Sequence, residues 1–529
     1  MTFQPKTGDT LYLIGAHGET ATPVASALPQ AAAAERQATE AVPNAAASSD
    51  PRPLVRTFDV FDTLIARRCI EPSGVFAIIE ERSGLKGFAA ARRKAEAHVL
   101  DRPHDLDVIY AELARLLGVE PVKLAALKAL EVDVEKEQVI PIAENLARVR
   151  HGDVLISDMY LGATHIRSLL DRAGLTARVG LVVTNDGKKT GRIWPDISAN
   201  LRIEEHLGDN EHSDVKMPTS FGLTARLTRL DKPSAVETVL INLGLRQLAE
   251  LCREARLRTF SEDAGIRTVQ LIQANLNFPL MLMASIELAN LVRHLGLRRV
   301  LFSSRDCDMW VPLFEEVARR KGVTCKAEYF YTSRLAKMQP SESYLAYARD
   351  RIGQDSIVVD LCGTGWSLSH LAERLGLSKV PVFFLHKLPS AKAYEELSQT
   401  PDACAFHALI RPDAPDVFNT ILEMCNYSDH GMVRDVRMVE GFALPVLAED
   451  ERGAADHAAV RAQKETFALA VSLMKHFDLN HVLQLDQPSI SAVSTALYQS
   501  LSRQQSLRGL YGKSHMDEEV RVRRQIGCN

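Results

Sequence analysis

The pattern of apolar and polar residues along most of this chain is typical of an α/β protein. From Val55 onward, short β-rich runs are separated by longer segments in which apolar residues recur at three- and four-residue spacing. The strand-like runs of the first half lie at 56–61, 153–156, 179–183 and 203–207. Strands separated by helix-length segments predict a parallel sheet, because each crossover must return the chain to the same edge.

A long helical pattern interrupts this series directly after the first strand. We therefore predict an α/β domain over residues 54–232, with a helical cap inserted at about 70–149. Residues 1–53 are predicted to be a low-complexity, disordered segment, because Ala, Pro, Ser, Gln and Glu dominate 21–53 and cannot form a packed core. A strand-like run at 10–14 has no evident role.

A second α/β series occupies the other half of the chain. We predict a helical connector at 233–297, a second Rossmann-like α/β domain at 298–453, and a helical C-terminal region and tail at 454–529. The strands of this series are expected at 299–302, 327–331, 356–360, 381–385 and 404–410.

Composition and charge exclude several classes of protein and leave the α/β prediction unchanged. The 529 residues carry 63 Lys and Arg against 67 Asp and Glu, a net charge of −4, so no global positive charge favours nucleic acid or an anionic membrane. The sequence contains no run of 18 or more apolar residues, so we predict no membrane-spanning helix. The eight cysteines form no C-x-x-C pair and are expected to be reduced thiols. We expect a cytoplasmic protein with no nucleic-acid partner; its oligomeric state is open.

Four short motifs follow predicted strands of the first domain in order. They are F-D-V-F-D-T-L at 58–64, L-I-S-D-M-Y-L at 155–161, G-K-K-T-G at 187–191 and H-L-G-D-N-E-H-S-D at 206–214. Each motif alone is typical of a helix cap, a tight turn or a solvated lysine pair. Together they predict one site, because the carboxyl ends of parallel strands meet at the same edge of a sheet.

In this order the motifs resemble the haloacid dehalogenase-like (HAD) superfamily of hydrolases and phosphatases, over about residues 55–225. The sequences of the first two motifs are especially similar to those of a bacterial two-domain subgroup with F-D-V-F-D-T-L and I-S-D-M-Y-L motifs. The resemblance implies an α/β fold: a HAD-like Rossmannoid parallel sheet with a helical cap inserted after the first strand, followed here by a second Rossmann-like α/β domain. It also implies a magnesium-dependent phosphatase that acts on a small phosphorylated metabolite, such as a sugar phosphate.

The resemblance carries roles over to individual residues. Asp59 would be the nucleophile that forms an aspartyl-phosphate, and Mg²⁺ would be held by Asp59, Asp209 and Asp214. Ser157 and Lys188 would be the other catalytic residues, with Lys189 as an alternative to Lys188. The predicted substrate contacts are Thr63, Ser157 and Asp158.

This chemistry has a physical reason. A carboxylate that attacks a phosphate dianion must overcome like-charge repulsion, so a divalent cation and a positioned lysine are needed to neutralise the charge. Asp and Glu oxygens are the hard ligands that Mg²⁺ prefers.

One position departs from the family pattern. Phe61 stands where phosphatases carry a second acid, and an aromatic ring cannot protonate a leaving alkoxide. Asp62 is the neighbouring acid, but a shift of one residue changes the direction of the side chain. Haloacid dehalogenases also lack that acid, although they need no metal and this chain keeps the acidic motif 208–214. The alternative is a catalytically weak HAD module that binds a phosphorylated ligand and serves a C-terminal transferase or ligand-binding domain.

Three further groups of residues are weaker candidates. Arg67 and Arg68 could contact an anion or simply be solvated at the surface, and His206 and His212 flank the acidic motif. In the second domain, the strings at 302–306, 331–334 and 358–367 end predicted strands, and their Arg, Ser and Gly residues could hold an anion. The last string faintly resembles the phosphate loop of type I phosphoribosyltransferases, although Val359 replaces one of their paired acids. A structural or ligand-binding module and a second catalytic site are both open.

Overall fold

The computed structural model of this protein describes residues 10–13, 50–389, 400–410 and 419–511. Helices and strands alternate in these ranges, and the sheets that form the two cores are largely parallel. The chain divides into two compact units, with the boundary between Pro233 and Ser234. The α/β class predicted from the sequence is confirmed.

The first unit is built on a six-stranded sheet. Its strands are β1 (Thr10–Leu13), β2 (Leu54–Phe58), β5 (Val154–Asp158), β6 (Gly180–Thr184), β7 (Arg202–Gly208) and β8 (Ala225–Leu227). The spatial order is β1-β6-β5-β2-β7-β8, and all neighbours are parallel except β1 and β6. The chain thus extends from the central strand β2 first to one side and then to the other.

Both faces of this sheet are covered, as a parallel sheet requires. Successive side chains of a strand point to opposite faces, so Leu155 joins one apolar cluster while Val154 and Ile156 join the other. The helices of this unit outside the insertion are Ala143–Leu146, Ala163–Arg172, Gly187–Thr190, Ile193–Asn200 and Met217–Ser220, with a π-helix at Glu211–Lys216.

A helical insertion follows the first strand of the parallel sheet, as the sequence pattern predicts. A two-stranded antiparallel ribbon, β3 (Ile65–Arg67) and β4 (Val139–Pro141), brackets the helices Pro72–Ser83, Phe88–Ala97, Leu106–Leu117 and Pro121–Gln138. Proline in the first turn favours the start of two of these helices, because its fixed φ suits a position with no hydrogen-bonded N–H. We refer to residues 72–138 as the cap.

The second unit has its own parallel sheet of five strands. They are β9 (Arg299–Ser303), β10 (Lys326–Phe330), β11 (Ser356–Gly363), β12 (Val380–Lys387) and β13 (Cys404–Ile410), in the spatial order β10-β9-β11-β12-β13. An antiparallel hairpin, β14 (Val433–Val439) and β15 (Phe442–Leu447), follows.

Helices surround this second sheet. They are Ala235–Asn242, Arg246–Arg258, Ala264–Ile272, Phe278–Leu295, Trp310–Lys321, Arg334–Met338, Glu342–Arg351, Trp366–Arg374, Asn419–Met424, Ala454–Leu473, Asn480–Leu483 and Gln487–Ser502. A π-helix lies at Gln273–Asn277, and 3₁₀ turns lie at Met474–His476 and Gln505–Gly509.

The helices at 233–297, predicted to be a connector, and those at 454–511, predicted to be a helical C-terminal region, both bury apolar residues in one core with the second sheet. Leu282, Phe467, Leu497 and Val300 of strand β9 all belong to that core. Amphipathic spacing shows that a helix has a buried face, but it does not identify what covers that face.

Within the segment 1–53, predicted to be disordered, the strand-like run noted at 10–14 is a strand over Thr10–Leu13. These residues form an antiparallel edge strand beside β6, and 1–9 and 14–49 lie outside the described residues. The helical run 264–295 is long and apolar enough to cross a membrane by length and composition alone. However, 89% of its most apolar window is buried inside the protein, as in the core helix of a soluble protein.

Candidate active site

Four strands of the first unit end at one edge of its sheet, at the point where the strand order reverses. Such a reversal leaves a crevice beyond the carboxyl ends of the strands, and ligands bind there in open α/β sheets. Asp59 directly follows β2, and its backbone N–H donates to the carbonyl of Leu207 in β7 at 2.8 Å. Asp209 directly follows β7. The order of the strands thus brings together residues that are 150 positions apart.

The Asp59 carboxylate lies just beyond the end of the central strand β2 and is held from two sides. Thr63 Oγ1 donates to its Oδ2 at 3.0 Å, and Lys188 Nζ donates to its Oδ1. The residue is only 6% exposed. Burial raises the pKa of Asp59 to about 8; Lys188 opposes this shift, and the charges of Asp214 and Asp209 add to it. Additional positive charge near Asp59 would therefore favour its ionised form.

Lys188 also contacts a second carboxylate. Its Nζ donates to Asp214 Oδ1 at 2.8 Å, and His206 Nε2 lies 3.3 Å from the same oxygen. Burial alone would raise the pKa of Asp214, but Lys188 and His206 hold that pKa below its usual value. Burial opposes the charged form of Lys188 too, and Asp59 and Asp214 raise its pKa nonetheless. Lys188 is therefore a permanent cation between two carboxyl groups.

The close approach of Asp214 depends on a glycine. A Cβ atom on Gly208, the last residue of β7, would lie 2.3 Å from Asp214 Cγ, a distance that real atoms do not tolerate. The π-helix that carries Asp214 starts at Asn210, whose side chain accepts from the backbone N–H groups of His212 and Ser213. Asp214 Oδ2 in turn accepts from the Asn210 N–H at 3.0 Å. The G-D-N sequence is therefore a turn that positions a carboxylate.

The structure distinguishes the two adjacent lysines. Lys188 is 3% exposed and reaches Asp59, whereas the side chain of Lys189 is exposed to solvent. The backbone N–H groups of Lys188 and Lys189 both donate to Asp158, at 3.2 and 3.1 Å. The alternative between the two, open from sequence, is resolved in favour of Lys188 as the residue at this site.

Two of the three predicted substrate contacts form hydrogen bonds with other residues of the protein. Thr63 is fully buried and binds Asp59, and Asp158 accepts the N–H groups that begin the Gly187–Thr190 turn. Both side chains position catalytic candidates, and their role as substrate contacts stays a prediction. Ser157, at the end of β5, is 1% exposed.

The carboxylates of this site could hold a cation. Oxygen atoms of Asp59, Asp209 and Asp214 lie within 4.8 Å of one another. Burial, together with Asp62 and Asp231, raises the pKa of Asp209 to about 6. Lys188 contacts Asp59 and Asp214, and Lys232 Nζ lies 3.6 Å from Asp209. Three carboxylates thus face two lysines, so the donor set carries excess negative charge on hard oxygen ligands. This chemistry fits a divalent cation of the Mg²⁺ type.

A second group of carboxylates adjoins the first, and sequence reasoning missed one of its members. Oxygen atoms of Asp62, Asp209 and Asp231 also lie within 4.8 Å of one another. Asp62 has a φ of 58°, the left-handed region that Asp tolerates better than most residues. Lys232 Nζ lies 2.6 Å from Asp231 and 3.6 Å from Asp209. Asp231 follows β8, which pairs with β7. Its position shortly after a strand is the feature from which the sequence could have indicated it as a site residue.

Phe61 and Arg67 form a contact below the cap. The Arg67 guanidinium lies 4.7 Å from the centroid of the Phe61 ring and donates to both oxygens of Glu135, at 2.8 and 3.0 Å. Arg67 is 3% exposed, so it is neither an anion contact nor a solvated surface group, and both readings are corrected. Arg68 donates to the carbonyl of Glu137 at 3.2 Å.

The two histidines near the acidic motif differ in position. His206 is fully buried, with Nδ1 2.8 Å from Thr57 Oγ1, and burial lowers its pKa. The exposed His212 has Nε2 3.1 Å from the Lys189 carbonyl. Within the described ranges, neither belongs to the carboxylate groups that could hold a metal.

A scan of the chain against protein-family models finds no match, and a search of curated proteins likewise returns no relative.

Proposed function

We propose that the first unit is a Mg²⁺-dependent hydrolase of the HAD type that acts on a small phosphorylated metabolite through an aspartyl-phosphate. One observation carries the proposal: a buried aspartate at the end of the central strand contacts a buried lysine and lies among further carboxylates. This is the arrangement that phosphoryl transfer to a carboxylate requires, because both the nucleophile and the transition state need compensating positive charge.

In the proposed reaction, an oxygen of Asp59 attacks the phosphorus atom and the bond to the ester oxygen breaks. Thr63 and Lys188 orient the attacking carboxylate, and Lys188 neutralises negative charge that develops on the phosphoryl oxygens. Mg²⁺, held by Asp59, Asp209 and Asp214, would supply further charge neutralisation. Phe61 offers no proton, so water protonates the leaving oxygen.

Water then attacks the phosphorus of the aspartyl-phosphate. The bond between phosphorus and the Asp59 oxygen breaks, which releases inorganic phosphate and restores the carboxylate. In this proposal the cap excludes bulk water and sets specificity, as lids over active sites do. Ser157 would donate a hydrogen bond to a phosphoryl oxygen.

A second candidate is a catalytically weak module that binds a phosphorylated ligand. The contact between Phe61 and Arg67 favours it, because an aromatic ring fixed by a buried ion pair occupies the position of the general acid. Such a module would retain ligand and metal binding but turn over slowly.

The test is Mg²⁺-dependent release of phosphate from a panel of phosphorylated metabolites. The intact protein is compared with Asp59→Asn and Asp209→Asn, and with Asp186→Asn as a matched control, since Asp186 is an exposed carboxylate close in sequence to Lys188. Turnover that the first two variants lose and the control keeps supports the hydrolase. No turnover on the whole panel, from folded protein that still binds Mg²⁺, favours the second candidate.

A further inference from the structure

The sheet of the second unit also reverses its strand order, and a cavity lies at that point. From β9 the chain adds β10 on one side and then β11, β12 and β13 on the other. A cavity of about 180 Å³ opens beyond the carboxyl ends of β9, β10 and β11. Crevices at such reversals are the usual ligand sites of open α/β sheets. Nothing in the proposed hydrolase chemistry involves this cavity.

Three positively charged side chains line the cavity: Arg305 after β9, and Arg334 and Lys337 after β10. Lys337 lies on the helix Arg334–Met338, which starts where Ser333 Oγ accepts from the Ala336 N–H at 3.0 Å. Since each cation follows the end of a strand, the order of the strands brings them to one place. Arginine and lysine side chains gathered at one place can bind an anionic group such as phosphate.

Lys337 is the most informative of the three. Its side chain is 6% exposed and lines the cavity. In the part of the chain that the structure describes, its ammonium group has no hydrogen-bond or ion-pair partner. Burial lowers the pKa of Lys337, Asp360 opposes this shift, and Arg334 adds to it. A buried ammonium without a direct partner is costly, so an anion in the cavity would relieve that cost.

The opposite wall of the cavity is the turn Gly363–Gly365 and the start of the nine-residue helix Trp366–Arg374. Gly365 has a φ of 85°, and a Cβ atom there would lie 2.4 Å from the ring of Phe406, so only glycine fits. Gly365 also has no side chain to cap the helix. The Trp366 N–H donates to Thr364 Oγ1 at 3.3 Å, and the N-cap residue Gly365 offers no acceptor to the N–H groups that follow. N–H groups at a helix start favour a phosphate.

Acidic residues in the same cavity indicate which groups the ligand carries besides its phosphate. Asp306, Asp360 and Glu423 line it beside the cations, and carboxyl groups accept hydrogen bonds from hydroxyl groups. Cys362 Sγ donates to Glu423 Oε1 at 3.1 Å, and burial, with the charges of Glu423 and Asp306, raises the thiol pKa well above its usual value. The thiol is therefore a hydrogen-bond donor and not a nucleophile.

We propose that this cavity is a second ligand site, which binds a phosphate ester of a small hydroxylated molecule. Arg305, Arg334, Lys337 and the Gly363–Gly365 turn receive the phosphate, and Asp360 and Glu423 receive hydroxyl groups. At about 180 Å³ the cavity is smaller than the roughly 300–1,000 Å³ of pockets for larger organic ligands. A single sugar-sized ligand therefore suits it better than a dinucleotide.

The experiment is calorimetric titration of the full-length Asp59→Asn variant, with EDTA present to suppress metal-dependent binding in the first unit. The probes are glucose 1-phosphate, ribose 5-phosphate, glycerol 3-phosphate, inorganic phosphate and glucose. We expect saturable binding of at least one phosphate ester, at least tenfold tighter than inorganic phosphate and with no binding of glucose. Lys337→Met and Arg334→Met should each weaken it at least tenfold, and Lys326→Met, at an exposed lysine of the same unit, should not.

Three results would overturn the proposal. They are no binding of any ester by the folded protein, equal affinity for inorganic phosphate and the esters, and binding that both cavity variants leave unchanged. Circular dichroism of each variant excludes a folding defect. Because the experiment runs without metal and without Asp59, its outcome is independent of whether the first unit is a hydrolase.

Discussion

Lys188 and Asp214 form a buried ion pair, with 2.8 Å between Nζ and Oδ1. Lys188 comes from the turn after β6 and Asp214 from the π-helix after β7, on opposite sides of the central strand that leads to Asp59. The pair therefore joins the two halves of the sheet across the point where the strand order reverses. One cation serves both the proposed nucleophile and a proposed metal ligand.

Lys188→Met should reduce kcat/KM for phosphate release by about 10²–10³-fold, the effect of removing one preorganised charge from a transition state. Lys189→Met is the matched control and should change kcat/KM less than twofold, because its side chain is exposed. Steady-state kinetics of the two variants decides the point. Equal losses in both variants would contradict the role assigned to Lys188.

Phe61 should make turnover depend strongly on the leaving group. With no acid at this position, aryl phosphates such as p-nitrophenyl phosphate should react much faster than alkyl phosphates, because a phenolate leaves without protonation. Phe61→Asp should raise kcat for alkyl phosphates by about 10²-fold, the lower range for general acid catalysis, and change it little for aryl phosphates. Phe61→Asn provides the same shape without the acid; a gain in that variant too would show that the ring, and not the missing proton, limits turnover.

The cap contains a buried ion pair whose loss should be costly. Arg92 donates to both oxygens of Glu131, at 2.9 and 2.8 Å, and Tyr110 donates to the same carboxylate at 2.8 Å. Arg92→Met should lower the free energy of unfolding by about 3–5 kcal/mol, because it leaves Glu131 buried without its cation. Arg93→Met, at the adjacent exposed arginine, should change it by less than about 0.5 kcal/mol. Chemical denaturation of both variants measures the difference, and similar values would contradict the role of the pair.

Asp450 should contribute stability that disappears in acid. Its carboxylate accepts from Arg452 Nε and Nη2 at 2.9 and 2.6 Å, and this bond lowers its pKa to about 2. Because the folded-state pKa lies below the unfolded value, the contribution is complete above about pH 4 and is lost as the pH falls through 2. Asp450→Asn should cost about 1 kcal/mol at pH 7, less than the full shift implies because water screens the pair.

Thermal midpoints of Asp450→Asn and the parent protein, measured from pH 7 to pH 2.5, test this expectation. Their difference should be constant down to about pH 4 and shrink below it. A difference that persists unchanged at pH 2.5 would show that the aspartate acts through packing and not through its charge.

Residue patterns along the chain were sufficient to predict the local features of this protein. Alternation of strand-like and helical runs predicted the α/β class and the insertion after β2, because periodicity reflects which face of an element is buried. The same pattern could not assign the helices at 233–297 and 454–511, because a buried face does not identify its partner. It indicated a strand-like run at 10–14 but not its place at the edge of the sheet, because Thr10–Leu13 pairs with a strand about 170 residues away.

For the candidate active site, too, some features could be predicted from the sequence and others could not. Motifs at the ends of strands were sufficient to select Asp59, Asp209, Asp214 and the Lys188–Lys189 pair. Only the tertiary structure decided that Lys188 enters the site, that Thr63 and Asp158 position other groups, and that Asp231 joins the carboxylates. The physical reason is that chemistry follows residue type and strand position, which are local, whereas contact depends on the order in which the strands pair, which links distant segments.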